Sequence, residues 1–338
     1  MDDKWTAHSV VLVTGATGAL GPRIVEGIHQ SGYSVRVLAI DPPAPHLFPP
    51  STDFRLGDIN DDLAVRSALA DVEIVIHMAA MVHMNTISPK ILALYERVNV
   101  AGTASIINAS IKASVRRIVF FSTIAVYGEG HGRILDENST PQPATPYADT
   151  KLRAERLVLS ARRPDGRPIG TVLRLASVYG SRVKGNYRRL ARALGRRRFI
   201  PIGSGLNRRT LVYDRDVAQA ALATARHPEA AGRIYNVTDG KIHTINEIIL
   251  TICEALGREA PLMRLLLGPV TSVADIFDKG NRFLRLGLLD LGLALNKYVE
   301  DMAVEGQRIV SEIGFEPKYN LRAGWKESIK EMRETGII

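Results

Sequence analysis

Three sets of residues in this chain have types and spacings that suit chemistry. Tyr147 and Lys151 stand four apart in PYADTKLRAE; Gly15, Gly18 and Gly21 stand three apart in VLVTGATGALG; and Thr123 ends the run VFFST. On a helix, positions i and i+4 share a face, so the Lys151 ammonium would lie beside the Tyr147 phenol. A neighbouring cation favours the phenolate and is expected to pull the tyrosine below its ordinary value of about 10. That makes a proton carrier usable near neutral pH. A helix that merely happens to carry a Tyr and a Lys looks the same, so the pair alone is a weak signal and the surrounding elements must decide.

The glycines have a setting. VVLV (10–13) is strand-like, and PRIVEGIHQSG reads as a helix with Pro22 in its first turn and Gly32 closing it. A glycine-rich turn lets a phosphate approach bare backbone, and the helix start offers N–H groups and partial positive charge. Placed between a buried strand and a helix, Gly15, Thr17, Gly18, Ala19, Leu20 and Gly21 point to the pyrophosphate of a dinucleotide. The second strand ends VLAIDPP, with Asp41 one or two residues beyond the usual ribose-binding acid and Ala39 in its place. No Arg or Lys lies between Leu38 and Pro45 to take a 2′-phosphate, which favours NAD and leaves NADP open. Asp58, with Ile59 in LGDI, is expected beside the adenine, or else Asp58 simply caps the next helix.

The elements that would position these groups alternate. After SVRVLAI and DFRLGDI come a helix in DDLAVRSALA, a strand in VEIVIHMAA and a long helical stretch from about Ile91 to Ser114. RRIVFFS is a fifth strand, the Tyr147–Lys151 helix follows, and GTVLRLASVYG is read as a sixth strand. Apolar strands alternating with helices imply a doubly wound α/β fold on a parallel sheet. After Gly180 the alternation loosens, and GRIYNVTD (232–239) reads as a strand returning to the sheet. The expected division is a dinucleotide-binding domain over 1–180 plus 232–239, with a smaller, mostly helical substrate domain over 181–231 and 240–338.

The totals narrow the class. The 338 residues include a single cysteine, Cys253, which excludes an intramolecular disulfide framework and is read as buried filler. With a polar, acidic N-terminus and no apolar run of about 18 residues, the expectation is a cytoplasmic protein without a membrane span. Lys and Arg number 44 against 35 Asp and Glu, densest in NYRRLARALGRRRF (186–199). That stretch lacks interleaved aromatics and reads as a solvated helix face rather than a nucleic-acid surface, with one or two arginines free to reach a phosphate. The Leu-rich NRFLRLGLLDLGLALNKYV (281–299) reads as an amphipathic core helix, with an apolar site or a membrane surface as the alternative. No metal site is expected.

With TGATGALG, GDI, HMAA, VNVAGT, STIAVYG, PYADTK, LRLASVYG, NRRTLVYDRDVA, IYNVTDG and IGFEPKYNL in this order, the chain resembles the extended short-chain dehydrogenase/reductase family, in its nucleotide-sugar epimerase/dehydratase branch. The resemblance implies Tyr147 as the acid and base, Lys151 on the nicotinamide ribose, and Thr123 bonded to the reacting oxygen. It implies that Ala79, Ala80, Asn99 and Ser122 line the cofactor; for Asn99 the alternative is a mid-helix residue bonding backbone. Arg209 falls on the diphosphate-clamping arginine, Asn186 on a nucleotide-contacting asparagine, and Ser177 where some epimerases carry Asn. His83 is read either as a substrate contact or as a loop histidine. Ile124 and Ala125 stand where 4,6-dehydratases carry Asp-Glu, which argues against dehydration. The resemblance therefore implies an enzyme acting at C4 of a UDP-hexose-type nucleotide sugar: a 4-epimerase first, a 4-keto-sugar reductase second. A steroid-type alcohol dehydrogenase, a sugar decarboxylase and a non-catalytic dinucleotide sensor stay as lesser readings. Family habit also implies a homodimer.

Overall fold

The computed structural model describes residues 9–82, 88–271, 295 and 298–338. His83 lies outside them, and of the stretch 281–299 only Leu295, Tyr298 and Val299 fall within. The first half alternates as expected: β1 (Val10–Thr14), α1 (Gly21–Gln30), β2 (Ser34–Ala39), β3 (Asp53–Leu56), α2 (Asp62–Ala68) and β4 (Val72–His77). The long helical stretch is α3 (Pro89–Tyr95), a π-helical segment Glu96–Ala101, and α4 (Gly102–Lys112). Then come β5 (Arg117–Thr123), the short β6 (Ile134–Leu135), α5 (Pro146–Ser160), β7 (Gly170–Leu175) and β8 (Ser177–Tyr179). The remainder holds α6 (Asn186–Gly195), β9 (Arg208–Tyr213), α7 (Asp214–Arg226), β10 (Ile234–Val237), β11 (Ile242–Thr244) and α8 (Ile245–Leu256). Near the end of the chain lie β12 (Ala303–Val304), α9 (Gln307–Ile313) and α10 (Leu321–Glu334).

Seven strands form one parallel sheet in the order β10-β7-β5-β4-β1-β2-β3. Alternate residues of β1 serve opposite faces: Val11 and Val13 pack with Ile24 and Val217, whereas Leu12 packs with Val65 and Ile106. The sheet is thus covered on both sides, which makes this the doubly wound Rossmann arrangement. Strand order reverses between β1 and β4, the place where such sheets open a crevice for ligands.

GTVLRLASVYG does not form one strand. It breaks at Ala176, whose N–H donates to the Val237 carbonyl, and β8 leaves the main sheet to join a second one, β11-β9-β8. Residues 232–239 do return to the sheet, where β10 pairs with β7 in parallel. The chain crosses between the two parts more often than a single cut would allow. α7, within the stretch read as substrate domain, gives Val217, Ala218 and Ala221 to the core under the main sheet.

The smaller part has its own core around Trp325, which is fully buried. Its indole stacks on Tyr179 at 4.8 Å between ring centroids and meets the edge of Tyr187 at 6.4 Å. α8 is held at its start by a reciprocal cap between Thr244 and Glu247 and stopped by Gly257 in the left-handed conformation. No helix among the described residues is long and apolar enough to cross a membrane. Trp325→Ala should cost about 3–5 kcal/mol by emptying that core. Urea unfolding reads this directly, and a loss below about 1 kcal/mol would show that α10 is held by something else.

Candidate active site

The glycine turn sits in the crevice between β1 and β4. Gly15 has φ +73°, and a Cβ on it would lie 2.7 Å from the Ala79 backbone, so the two strand ends approach as closely as backbone permits. A Cβ on Gly21 would lie 1.7 Å from the Ala16 carbonyl oxygen, which is what lets α1 start against the turn. The first turn of α1 has no side-chain cap from its own chain. Gly18 is exposed, and Thr17, Ala19 and Leu20 are half-buried around it. A helix start without a side-chain cap, above a glycine-rich turn, fits a pyrophosphate, although the Gly18 and Gly21 N–H groups bond within the turn at 3.1 and 3.2 Å.

Other expected cofactor residues fall at the same strand ends, with roles that differ in part. Asp41 is exposed two residues beyond the end of β2. The Asp58 carboxylate accepts from the Asn60 backbone at 2.9 Å and from Arg97 at 2.6 Å. Its burial works to raise its pKa, but the Asn60 bonds and the Arg97 cation outweigh this and hold it below the ordinary value. The cap of α2 is Asp61, not Asp58. Ile59 is buried in the core between α2 and α4. Ala79 and Ala80 follow β4, and the Ala79 N–H donates to the Thr14 hydroxyl.

Asn99 bonds backbone, as its alternative reading had it, across the loop after β4. Its side chain accepts from the Met81 N–H at 2.8 Å and donates to the Met81 carbonyl and the Thr150 hydroxyl, both at 3.1 Å. At 1 % exposure it fastens the loop after β4 to the first turn of α5. Ser122 is likewise committed inward, its hydroxyl donating to Glu155 at 2.5 Å. Glu155 also accepts three contacts from Arg174, the shortest 2.7 Å, and both members of this ion pair are buried. The sequence reading missed Glu155, although its place four residues after Lys151 puts it on the same helix face.

α5 begins where its residues dictate. Thr145 caps it by accepting from the Ala148 N–H, and Pro146 occupies the first turn, where it has no helical hydrogen bond to lose. Tyr147 therefore lies in the first turn, half-buried, with its ring 6.3 Å from that of Tyr95. Lys151, one turn on, is 2 % exposed and its ammonium lies 4.0 Å from the centre of the Phe120 ring. Thr123 ends β5 and caps the short 3₁₀ turn that follows by accepting from the Ala125 N–H. His77 is buried between the hydroxyls of Thr14 and Thr103, and burial, with Lys151 adding to it, takes its pKa down to about 3, so it is neutral.

The electrostatics of the pair differ from the expected depression of the tyrosine. Burial pushes Tyr147 up to about 12, with Tyr95 adding to the shift, and pushes Lys151 down to about 7 against the pull of Glu155. Both groups have lost water, and that cost falls on each charged form separately. In the cofactor-free protein burial thus weakens the lysine's hold on its proton, and the lysine does not bring the phenol's pKa down.

Substrate-side candidates gather on the second sheet. Arg209, 7 % exposed on β9, donates to the Tyr298 carbonyl at 3.4 Å and lies 3.8 Å from Glu300. Ser177 on β8 hydrogen-bonds the Tyr187 hydroxyl, and Tyr187 also feels Arg209. Tyr187 is a third member that sequence reading did not name; its only signal was its place beside Asn186. Asn186 itself opens α6 and is exposed.

The model of the NAD dependent epimerase/dehydratase family matches residues 11–238. The chain belongs to that family. It is an NAD-dependent enzyme of the extended short-chain dehydrogenase/reductase fold, and its named relatives include sugar 4-epimerases. It is 26% identical over 327 residues to the UDP-glucose 4-epimerase of Vibrio cholerae, covering 94% of each chain. It is 28% identical over 257 residues to the N-acetyl-alpha-D-glucosaminyl-diphospho-ditrans,octacis-undecaprenol 4-epimerase of Escherichia coli O157:H7, covering 75% of each. Among solved structures, MoeE5 in complex with UDP-glucuronic acid and NAD superposes with a TM-score of 0.75 at 27% identity, over 97% of this chain and 100% of that one. In this epimerase/dehydratase, Ile124 and Ala125 follow Thr123, and Ile124 is buried, so no acid–base pair stands there for dehydration.

Because Lys151 titrates near 7 when folded and near 10.4 when unfolded, the unfolded chain carries the extra proton between those values. Stability from this group therefore rises with pH across that window, by about 1.4 kcal/mol per pH unit. Urea unfolding of the cofactor-free protein at pH 7 and pH 9 should show the parent gaining on Lys151→Met. A difference that stays flat with pH would mean the lysine keeps its charge.

Proposed function

We propose that the protein is a 4-epimerase of a nucleoside-diphosphate sugar, of the UDP-hexose class, with Tyr147 as acid and base at the C4 hydroxyl. What supports this reading is a pairing: Tyr147 and Lys151 stand one turn apart on α5 with the Lys151 ammonium against Phe120 of β5, Thr123 ends that strand, and a buried arginine, Arg209, lies on the small sheet that β8 joins. A buried guanidinium suits a diphosphate, which it can meet through two parallel hydrogen bonds. The names of the relatives support the same substrate class.

NAD, when bound, supplies an acceptor for the C4 hydride and a positively charged ring. Tyr147 takes the proton from the C4 hydroxyl and returns it once the sugar has turned over, while Arg209 holds the diphosphate throughout. The Thr123 hydroxyl hydrogen-bonds the reacting oxygen. Lys151, once protonated, holds the cofactor ribose and offsets the burial that keeps the phenol neutral. Asn99 and the Glu155–Arg174 pair keep α5 in place for these groups.

A second reading keeps the chemistry and changes the carrier: the diphosphate is borne by a polyprenol, as the name of the Escherichia coli relative states for that protein. The exposed Leu262, Met263 and Leu266 favour it. Assays with UDP-N-acetylglucosamine and with the corresponding polyprenyl diphosphate sugar separate the two carriers.

Denaturing the purified protein should release one NAD per chain, as expected when the cofactor is reoxidised within each cycle. An empty site that turns over only with added NADPH would replace the epimerase by a 4-keto-sugar reductase. Tyr147→Phe should lower kcat by about 10²–10⁴ while leaving the NAD content unchanged. Retention of full activity in that variant would remove Tyr147 from the mechanism.

A further inference from the structure

Away from the nucleotide turn and the Tyr147 group, the smaller part carries an apolar strip that its own fold holds outward. Leu262 is 95 % exposed, Met263 71 % and Leu266 76 %. The backbone of this strip is tied down: the Leu265 N–H donates to the Pro201 carbonyl and its carbonyl accepts from the Gly203 N–H, both at 2.9 Å. Arg264 adds bonds to the Ser204 carbonyl and the Asn246 side chain. Across the bridge, Ile200 and Leu206 are also exposed, at 47 % and 66 %. Anchored backbone with large apolar side chains turned to water is the mark of an interaction surface.

The charge around the strip says what kind. Residues 181–213 contain ten Lys and Arg and no Asp or Glu. Of these, Arg189, Arg192, Arg196, Arg197 and Arg198 are exposed, and the last three lead directly into Ile200 and the bridged segment. Glu259 is exposed just ahead of the strip, but arginines dominate its surroundings, and leucines beside such a cluster match an anionic bilayer surface, where apolar side chains enter the interface and cations meet lipid phosphates. A second copy facing the same patch would bring like charges together, which disfavours self-association there.

We propose that this face, Leu262–Met263–Leu266 with Ile200, Leu206 and Arg196–Arg198, docks the enzyme on an anionic lipid surface. The patch is joined to the substrate side. The Phe199 ring lies 6.3 Å from that of Tyr298, whose carbonyl accepts from Asn207 at 2.9 Å and from Arg209 at 3.4 Å. Docking would thus set the Arg209 side of the small sheet toward the membrane plane. The inference stands apart from the identity of the sugar substrate, because binding to vesicles needs no turnover.

The test is co-sedimentation of the full-length protein with vesicles of phosphatidylcholine alone and with about one-third phosphatidylglycerol, at low and high salt. The anionic vesicles should bind at least about tenfold more protein at low salt, with most of the binding lost at high salt. Leu262→Asp with Leu266→Asp, and separately Arg196→Glu, Arg197→Glu and Arg198→Glu together, should each cut that binding about tenfold with NAD content and circular dichroism unchanged. No binding to anionic vesicles, or variants that bind like the parent, would overturn the proposal. So would a dimer-to-monomer shift in the leucine variant without vesicle binding, which would assign the patch to a second copy.

Discussion

The buried pair of Glu155 and Arg174 sets the height of α5 on the sheet, and the placing of Tyr147 and Lys151 depends on that height. Glu155 accepts from Ser122 on β5 and from Arg174 on β7, so one carboxylate ties the helix to two adjacent strands. Taking two charges out of water is expensive, and the cost is recovered only when their hydrogen bonds are filled with good geometry. Here the carboxylate has four such contacts, and the Arg174 guanidinium also covers the Tyr127 ring at 4.7 Å. A slip of α5 by one residue would break all of them. Because the helix rises about 1.5 Å per residue, Tyr147 is then held about 12 Å along the axis from Glu155, toward the start of α5.

Asn99 supplies the second fixed point. It sits in a π-helical segment, a local widening often found at functional sites. Its amide spans the loop after β4 and the start of α5, so the strand end that meets Gly15 and the helix that carries Tyr147 are set together. The glycine turn and the helix carrying Tyr147 are in this way coupled through one side chain.

The smaller part is fastened to the larger by charge as well as by its own core. Glu331 of α10 accepts from Arg23 of α1, from Arg215 of α7 and from Ser181, all at 2.5–2.6 Å. Asp214 lies beneath them, 3.6 Å from Arg23, and burial pushes its carboxyl up to about 6. The C-terminal helix is thereby anchored to the same helix whose start forms the phosphate cradle.

Several features of this protein are local and were legible as sequence. A glycine triplet between a strand and a helix, a cap before Pro146, and Tyr147 four residues before Lys151 each depend on a few neighbouring positions, where geometry leaves little choice. The division of GTVLRLASVYG into β7 and β8 was not legible, because the break at Ala176 depends on which distant strands offer carbonyls. Nor were the bond from Ser122 to Glu155, or the meeting of Ser177, Tyr187 and Arg209, since those partners lie far apart in the chain. The pKa values of Tyr147 and Lys151 make the contrast plainest. Residue spacing put a cation beside a phenol and suggested a depressed tyrosine, but the tertiary structure drew water away from both, and desolvation is a sum over everything that displaces water.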